Sequence, residues 1–231
     1  MENKNTPEIR FKGFTDAWVQ RKLGEVAEIR TGPFGSVLHA EDYIENGVPI
    51  VTTEHFKDGA LPKNKENIPQ VSDNDYERLR AYILINNDIV FSRVGSVDIN
   101  ALVTEFQEGW LFSGRVLRVR PSKGIRGEYL HYLLETSKVK KDIIARAVGQ
   151  TMPSINTEIL KETKTLATNS LLEQTTIDNF FHTLDNIITL HKRKLDLLKE
   201  LKKGYLQLMF PQEGECVPRI RFDGFTESWK L

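Results

Sequence analysis

Cysteine is almost missing from this chain. Cys216 is the single one in 231 residues, which excludes an internal disulfide framework and any cysteine-rich metal site. No apolar run approaches the ~18 residues that a bilayer-spanning helix needs, so no membrane partner is expected. The opening Met1-Glu2-Asn3-Lys4-Asn5-Thr6 is polar and lacks the apolar core of a signal peptide. A cytoplasmic address is the expectation. Net charge is missing too, since 32 Lys+Arg balance 32 Asp+Glu. There is no Gly-x-x-x-x-Gly-Lys-[Ser/Thr] loop and no Gly-x-Gly-x-x-Gly, the glycine-rich cradles for nucleotide phosphates. There is also no Asn-Pro-Pro-Tyr-like run, with which adenine methyltransferases hold a flipped base. His39, His55, His131, His182 and His191 are scattered and form no ligand pair at helical spacing. No catalytic residue, metal or cofactor is expected, and a binding or scaffold role is the default.

What is present fits a globular chain with a sizeable core, at 39% hydrophobic and 28% charged residues. Charge is unevenly placed. Val37 to Glu77 holds nine acids and three lysines, whereas Arg115 to Arg146 holds nine Lys/Arg and three acids. A neutral protein can still turn one basic face to phosphates, and the alternative is a set of ordinary solvated edges.

Residues 21–165 read as a mixed α/β domain. Val48–Val51, Ile83–Ile85, Ile89–Phe91 and Val116–Val119 look like strands, with Asn86-Asn87-Asp88 as a turn and Pro121 as a stop. Glu128 to Ala147 has helical spacing, and inside it His131 and Tyr132 read as packing residues. The character then changes. From Leu171 to Phe210 there is no proline, and the apolar positions Ile177, Phe181, Leu184, Ile188, Leu195, Leu198 and Tyr205 step by fours and threes, a heptad seam. His191 and Lys202 are polar seam positions. Thr175 or Thr176 is a candidate cap, although Glu173 and Gln174 suggest an earlier start. Some 40 residues at ~1.5 Å each make a rod of roughly 60 Å. The fold class is therefore α/β (α+β), a globular domain followed by a long coiled-coil helix. A helix packing only on its own domain is the alternative.

The end of the chain copies its beginning. Pro7-Glu8-Ile9-Arg10-Phe11-Lys12-Gly13-Phe14-Thr15-Asp16-Ala17-Trp18 reappears as Pro218-Arg219-Ile220-Arg221-Phe222-Asp223-Gly224-Phe225-Thr226-Glu227-Ser228-Trp229, at a constant offset of 211 with eight of twelve positions identical. Such a period marks a repeat. Residues 1–20 then open one unit and residues 211–231 open a second. A chain with one copy of a tandem design is expected to recover the other half by pairing with itself.

Several blocks together resemble the specificity subunit of Type I restriction–modification enzymes. They are Arg10 to Trp18 with Lys22-Leu23-Gly24-Glu25-Val26, then Gly32 to Ser36 with Gly47 to Ile50, then Asn87 to Gly95, Gly149 to Asn156, and the stretch from Leu172 to Phe210. The resemblance implies a target recognition domain at 21–165 and a spacer helix at 171–210. The family's full subunit has two such domains joined by two antiparallel helices, so this chain resembles a half-subunit. It also implies double-stranded DNA, methyltransferase (M) and restriction (R) subunits as partners, and no catalysis by the chain itself. A homodimer through the heptad seam would read an inverted-repeat bipartite site. Candidate base contacts lie in loops at Arg30, Thr31, Ser36, Thr53, His55, Arg93, Ser96, Gln150 and Thr151, with Arg93 suited to guanine and Gln150 to adenine. Arg115, Arg118 and Arg120 are candidate phosphate contacts. Each of these could instead cap a turn. A coiled-coil adaptor for proteins, or the inactive remnant of a truncated specificity subunit, stays open beside this reading.

Overall fold

The computed structural model describes residues 5–33 and 37–229. They fall into two compact units, one ending at Asn179 and one beginning at Phe180. In the first, β1 (Val19–Lys22) runs into a single turn, α1 (Leu23–Val26), and then β2 (Ala27–Thr31). Short strands β3 (Tyr43–Ile44), β4 (Val48–Val51) and β5 (Gln70–Val71) precede α2 (Asp73–Arg78). Ser72 caps α2 by accepting the Asp75 amide at 3.2 Å. Next come β6 (Ile89–Ser92), β7 (Asn100–Leu102), β8 (Leu111–Phe112) and β9 (Val116–Pro121). Helices α3 (Gly127–Glu135), α4 (Ser137–Arg146) and α5 (Thr157–Lys161) follow, then β10 (Lys164–Ala167) and the long α6 (Leu171–Leu208).

The strands form an antiparallel four-stranded sheet in the order β2-β9-β6-β7, a second four-stranded sheet in the order β3-β5-β4-β8, and the pair β1-β10. Both faces of the first sheet are buried. Ile89, Phe91, Leu117 and Val119 point into a cluster with Leu130, Leu134 and Ile143 of α3 and α4. Val90, Ala101 and Val116 point the other way, into a cluster with Val51 and Phe112 of the second sheet. This explains why Val116–Arg120 shows no clean alternation, since a strand covered on both faces has no solvent side to mark. A third cluster around Ile50, Val71, Leu79 and Leu111 closes the second sheet.

Three local expectations change. The run from Glu128 to Ala147 is two helices, because Thr136 is extended and its hydroxyl donates to the Leu133 carbonyl at 2.8 Å. Ile83–Ile85 makes only an isolated bridge from Ile83 to Leu111, while the Ile85 amide donates to the Asp88 carboxylate in the Asn86–Asp88 turn. Helix α6 starts ahead of Thr175. The Ser170 hydroxyl accepts the Glu173 amide at 3.3 Å, and Thr175 and Thr176 donate back to the carbonyls of Leu171 and Leu172. Asn87 takes the left-handed conformation (φ 72°) expected of that turn.

In the second unit, the helix from Phe180 onward carries exposed Phe181, Leu184, Ile188, Leu195, Leu198 and Tyr205. The segment after it turns back, with the Ile220 amide donating to the Leu208 carbonyl at 3.0 Å. No helix among the described residues is long and apolar enough to cross a membrane.

Candidate nucleic-acid interface

Strand direction gathers the loops of the first unit. Thr31 lies opposite Leu117, and Ser92 opposite Val116. The C-terminal ends of β2 and β6 therefore meet the start of β9. Strands β4 and β8 run parallel, with Val51 opposite Phe112, so Thr52 and Ser113 leave together, and the Ser113 amide donates to the Val51 carbonyl at 2.9 Å. The turn Ser113-Gly114-Arg115 then joins the second sheet to the first. One edge thus collects the segments after β2, β4, β6 and β8.

Main-chain bonds pin these segments. The Gly32 amide donates to the Val116 carbonyl at 3.1 Å, and that of Arg93 to the Arg115 carbonyl at 2.9 Å. A side chain on Gly32 would sit 2.1 Å from the Ser113 carbonyl oxygen, so only glycine permits this approach. A fifth segment, 148–154, closes on itself through reciprocal amide bonds between Val148 and Ser154 (2.9 and 2.8 Å). It is tied to the β6 loop by the Gly95 amide donating to Pro153 and the Ile155 amide donating to Arg93.

This edge brings together Thr31, Thr53, His55, Arg93, Ser96, Arg115, Gln150 and Thr151. Ser36 lies outside the described residues. Gln150 and Thr151 are exposed at the tip of the closed 148–154 loop. Arg93 is half-buried, and its Nη1 donates to the Gly114 carbonyl at 3.1 Å. His55 sits in the turn Thr53–Phe56, anchored by buried Phe56. Its Nδ1 accepts the Thr52 amide at 3.1 Å, which assigns the ring proton of the neutral form to Nε2. Burial pushes the imidazole pKa down, against a smaller opposing pull from Glu54. His55 therefore keeps an Nε2–H donor near neutral pH. Glu54 is held below its ordinary range by its hydrogen bond and ion pair with Lys57, with a contribution from the charge of Arg115. Among the described residues Arg115 forms no ion pair of its own.

The other arginines go elsewhere. Arg118 is 2% exposed, because it faces the inter-sheet core beside the Phe112 ring. Its Nη2 donates to Glu28 at 2.8 Å. Burial and the neighbouring Arg120 push its pKa down. Arg120 grips the buried Asp88 carboxylate with Nε and Nη2, both at 2.7 Å, and that hydrogen bond pushes the Arg120 pKa up. The expectation that Arg118 and Arg120 contact phosphate is thus corrected, since Arg118 is buried against Glu28 and Arg120 is engaged by the buried Asp88. Arg30 is exposed but donates to the Ala81 carbonyl at 3.1 Å and pairs with Glu28 at 3.5 Å. Further along the basic segment, Arg126, Lys140 and Arg146 are also ion-paired. Among the described residues Arg115, Lys123, Lys138 and Lys141 keep unpaired cations.

Sequence reading missed a polar latch at the start of α6. Glu173, Gln174 and Asp178 are buried there. Glu173 accepts from Arg10 Nε at 2.6 Å and Nη2 at 2.9 Å, and from Trp18 Nε1 at 3.3 Å. Gln174 accepts the Arg126 amide at 2.9 Å and donates to the carbonyls of Gly124 and Thr168. Asp178 accepts from Arg126 Nε at 2.5 Å. Burial pushes the Glu173 carboxyl up, but the bonds from Arg10, Thr168 and Trp18 win and hold it below 4.5. The available signal was three polar residues on the face where the heptad pattern asks for apolar ones. Ile177 belongs to this docked turn. It packs on the first unit's core and is removed from the candidate seam. His131 packs beside Asn100, with Nδ1 at 2.8 Å from Oδ1.

An α/β domain with loop-bearing strand ends, leading into a long helix, is the class these features define. A family model described as the Type I restriction modification DNA specificity domain matches residues 15–200, and the chain belongs to that family. Two proteins of Methanocaldococcus jannaschii are similar to it. The type I restriction enzyme MjaX specificity subunit is 29% identical over 241 residues, covering 100% of this chain and 55% of the relative. The type I restriction enzyme MjaVIII specificity subunit is 23% identical over 214 residues, covering 90% and 49%. The chain spans about half the length of these curated relatives. Its fold is similar to the type I restriction-modification S subunit of M. genitalium, with TM-score 0.61 at 16% identity over 89% of this chain and 48% of that one. It is also similar to the HsdS subunit of Thermoanaerobacter tengcongensis, with TM-score 0.57 at 17% identity over 84% and 45%.

Proposed function

We propose that this chain is the non-catalytic DNA-reading subunit of a type I restriction–modification complex in the cytoplasm. Residues 21–165 act as the reader, 171–210 as the spacer, and 1–20 and 211–231 as the openings of two repeats. The observation that carries the reading is the gathering of Thr31, Thr53, His55, Arg93, Ser96, Arg115, Gln150 and Thr151 at one strand edge in a chain of this family. Gln150, exposed at a loop tip, offers a donor and an acceptor to an adenine edge, Arg93 brings guanidinium donors to a guanine edge, and Arg115 offers a phosphate contact.

Two copies pair through Phe181, Leu184, Ile188, Leu195, Leu198 and Tyr205 and present identical readers about a two-fold axis. The bipartite site is then an inverted repeat. Methyltransferase and restriction subunits assemble on the dimer and supply the chemistry. Co-expression of this chain with its methyltransferase subunit, followed by genome-wide mapping of modified adenines, tests the reading. A symmetric split site supports it, and an asymmetric one made with this chain as sole specificity subunit overturns the two-fold arrangement. The extensive ion pairing of the Arg115–Arg146 segment favours one competitor, a coiled-coil adaptor that binds only proteins. Salt-dependent binding to a DNA duplex separates the two.

A further inference from the structure

The two ends of the chain share more than sequence. The Trp18 amide donates to the Asn5 carbonyl at 2.8 Å, and the Trp229 amide donates to the Cys216 carbonyl at 2.8 Å. Both pairs are separated by the same offset as the repeat. Gly13 and Gly224 take the same left-handed turn, with φ of 97° and 91°. The two segments therefore fold into one local shape, an arm closed by its tryptophan.

Their surroundings differ. In the N-terminal arm Pro7, Arg10, Phe14 and Trp18 are half-buried. Arg10 and Trp18 hold Glu173, and Trp18 also stacks edge-on against Tyr129 at 6.4 Å. All four residues recur in the C-terminal arm as Pro218, Arg221, Phe225 and Trp229. The positions that differ between the arms, Glu8, Lys12, Asp16 and Ala17, are all exposed in the first. The repeat thus preserves all four residues of the docking face, along with Ile9, Phe11, Gly13 and Thr15, which are exposed in the first arm. In this arm Pro218 is buried and Arg221 half-buried, while Phe225 is 69% and Trp229 45% exposed, with Trp229 edge-on to the Phe210 ring at 5.8 Å. Arg221 donates only to the Phe225 carbonyl within its own arm, at 3.1 Å, and among the described residues it meets no carboxylate. The C-terminal arm also borders an open groove of about 1340 Å³ lined by Leu198, Tyr205, Phe210, Phe222 and Trp229.

We infer that the C-terminal arm, 216–229, is a second docking arm for the Glu173 latch of another copy of this chain, interchangeable there with that copy's own N-terminal arm. The occupant is set by chemistry. A guanidinium fork and an indole N–H at fixed separation match a carboxylate that already accepts those same donors. Reciprocal exchange between two copies closes on itself and does not propagate. The inference rests on the proposed dimer only for bringing two chains together, and on no part of the DNA reading.

Thermal melting and sedimentation of the full chain test it, from about 1 to about 100 µM, where binding in trans makes the melting temperature depend on concentration. The variants are Arg10→Ala, Arg221→Ala and the double variant. Arg10→Ala should melt lower than wild type at the dilute end and recover most of the difference at the concentrated end. Arg221→Ala should melt like wild type, and the double variant should stay low throughout. Should Arg10→Ala fail to fold, Arg10→Lys, which keeps the charge and loses the fork, takes its place. Equal melting of the single and double variants at every concentration would overturn the inference. So would a recovery that ignores concentration, since that is docking within one chain. A wild type that sediments as a monomer overturns the helix-paired dimer alone, because association of Arg10→Ala through Arg221 is read separately. A wild-type dimer whose Arg10→Ala variant shows no recovery overturns the arm exchange alone.

Discussion

Arg120→Ala separates a phosphate contact from a structural one. Asp88 is fully buried, and its two oxygens each accept from Arg120 at 2.7 Å. Removing one partner of a buried ion pair costs about 3–5 kcal/mol, because a charge is left without compensation. Asp88 keeps one donor, the Ile85 amide at 2.9 Å, which puts the cost near the lower end, about 3 kcal/mol. The Ile83 carbonyl also loses the Arg120 Nη2 donor at 3.0 Å. For a unit of this size each kcal/mol moves the melting temperature by about 2–4 °C, so a fall of roughly 6–12 °C is expected. Urea unfolding of the variant checks this, followed by DNA titration on the folded fraction. Affinity per folded molecule should be unchanged. Asp88→Asn, which keeps an acceptor for Ile85 and removes the charge, should lose less, about 1–2 kcal/mol. A variant as stable as wild type, within about 0.5 kcal/mol, that binds DNA more weakly would refute the structural assignment and return Arg120 to the phosphates.

The opposite pattern is expected for Arg115→Ala. Stability should change by less than about 0.5 kcal/mol, while DNA binding weakens across all sequences and the slope of log K against log salt falls by about 0.9, measured by titration at several salt concentrations. Aspartate at Leu184, Ile188 and Leu195 together should convert dimer to monomer in light scattering, because each places a charge in a desolvated seam. Glu173 should give a pH signature. Its folded carboxyl lies below the ordinary value of 4.5, so its stabilisation is present above that value and disappears as pH falls through the lowered one. The stability gap between wild type and Glu173→Gln, read by denaturant melts, should be widest near pH 7 and shrink as pH falls below the ordinary carboxylate value. A gap that widens on acidification would contradict the sign.

The long helix was legible because its pattern is local. Apolar residues at steps of three and four over some forty positions need no knowledge of the rest of the chain. Strands β6 and β9 were legible for the same reason. Ile83–Ile85 misled because three apolar residues fit a strand, while the chain there spends the Ile85 amide on Asp88. The candidate site was legible only as scattered loops. What joins Thr31 to Leu117 and Val94 to Ser154 is β pairing at separations of 86 and 60 residues, which no short window contains. Arg118 and Arg120 misled most. A basic run reads alike whether its side chains face water or an inter-sheet core, and only the buried Asp88 and the edge residue Glu28 distinguish them.

The tethers of the loop edge are main-chain bonds. Gly32 to Val116, Arg93 to Arg115, Gly95 to Pro153 and Val148 to Ser154 all use amides and carbonyls, which every residue but proline supplies in the same form. These main-chain anchors survive a change of outward side chain, except where Gly32 and Gly149 must stay small, while Arg93, His55 and Phe56 add side-chain tethers of their own. Such a surface behaves like movable type set in a fixed frame. If this edge reads DNA as proposed, new specificities would be open to it by substitution alone, and a foreign loop of matching length could be set into it without disturbing the core beneath.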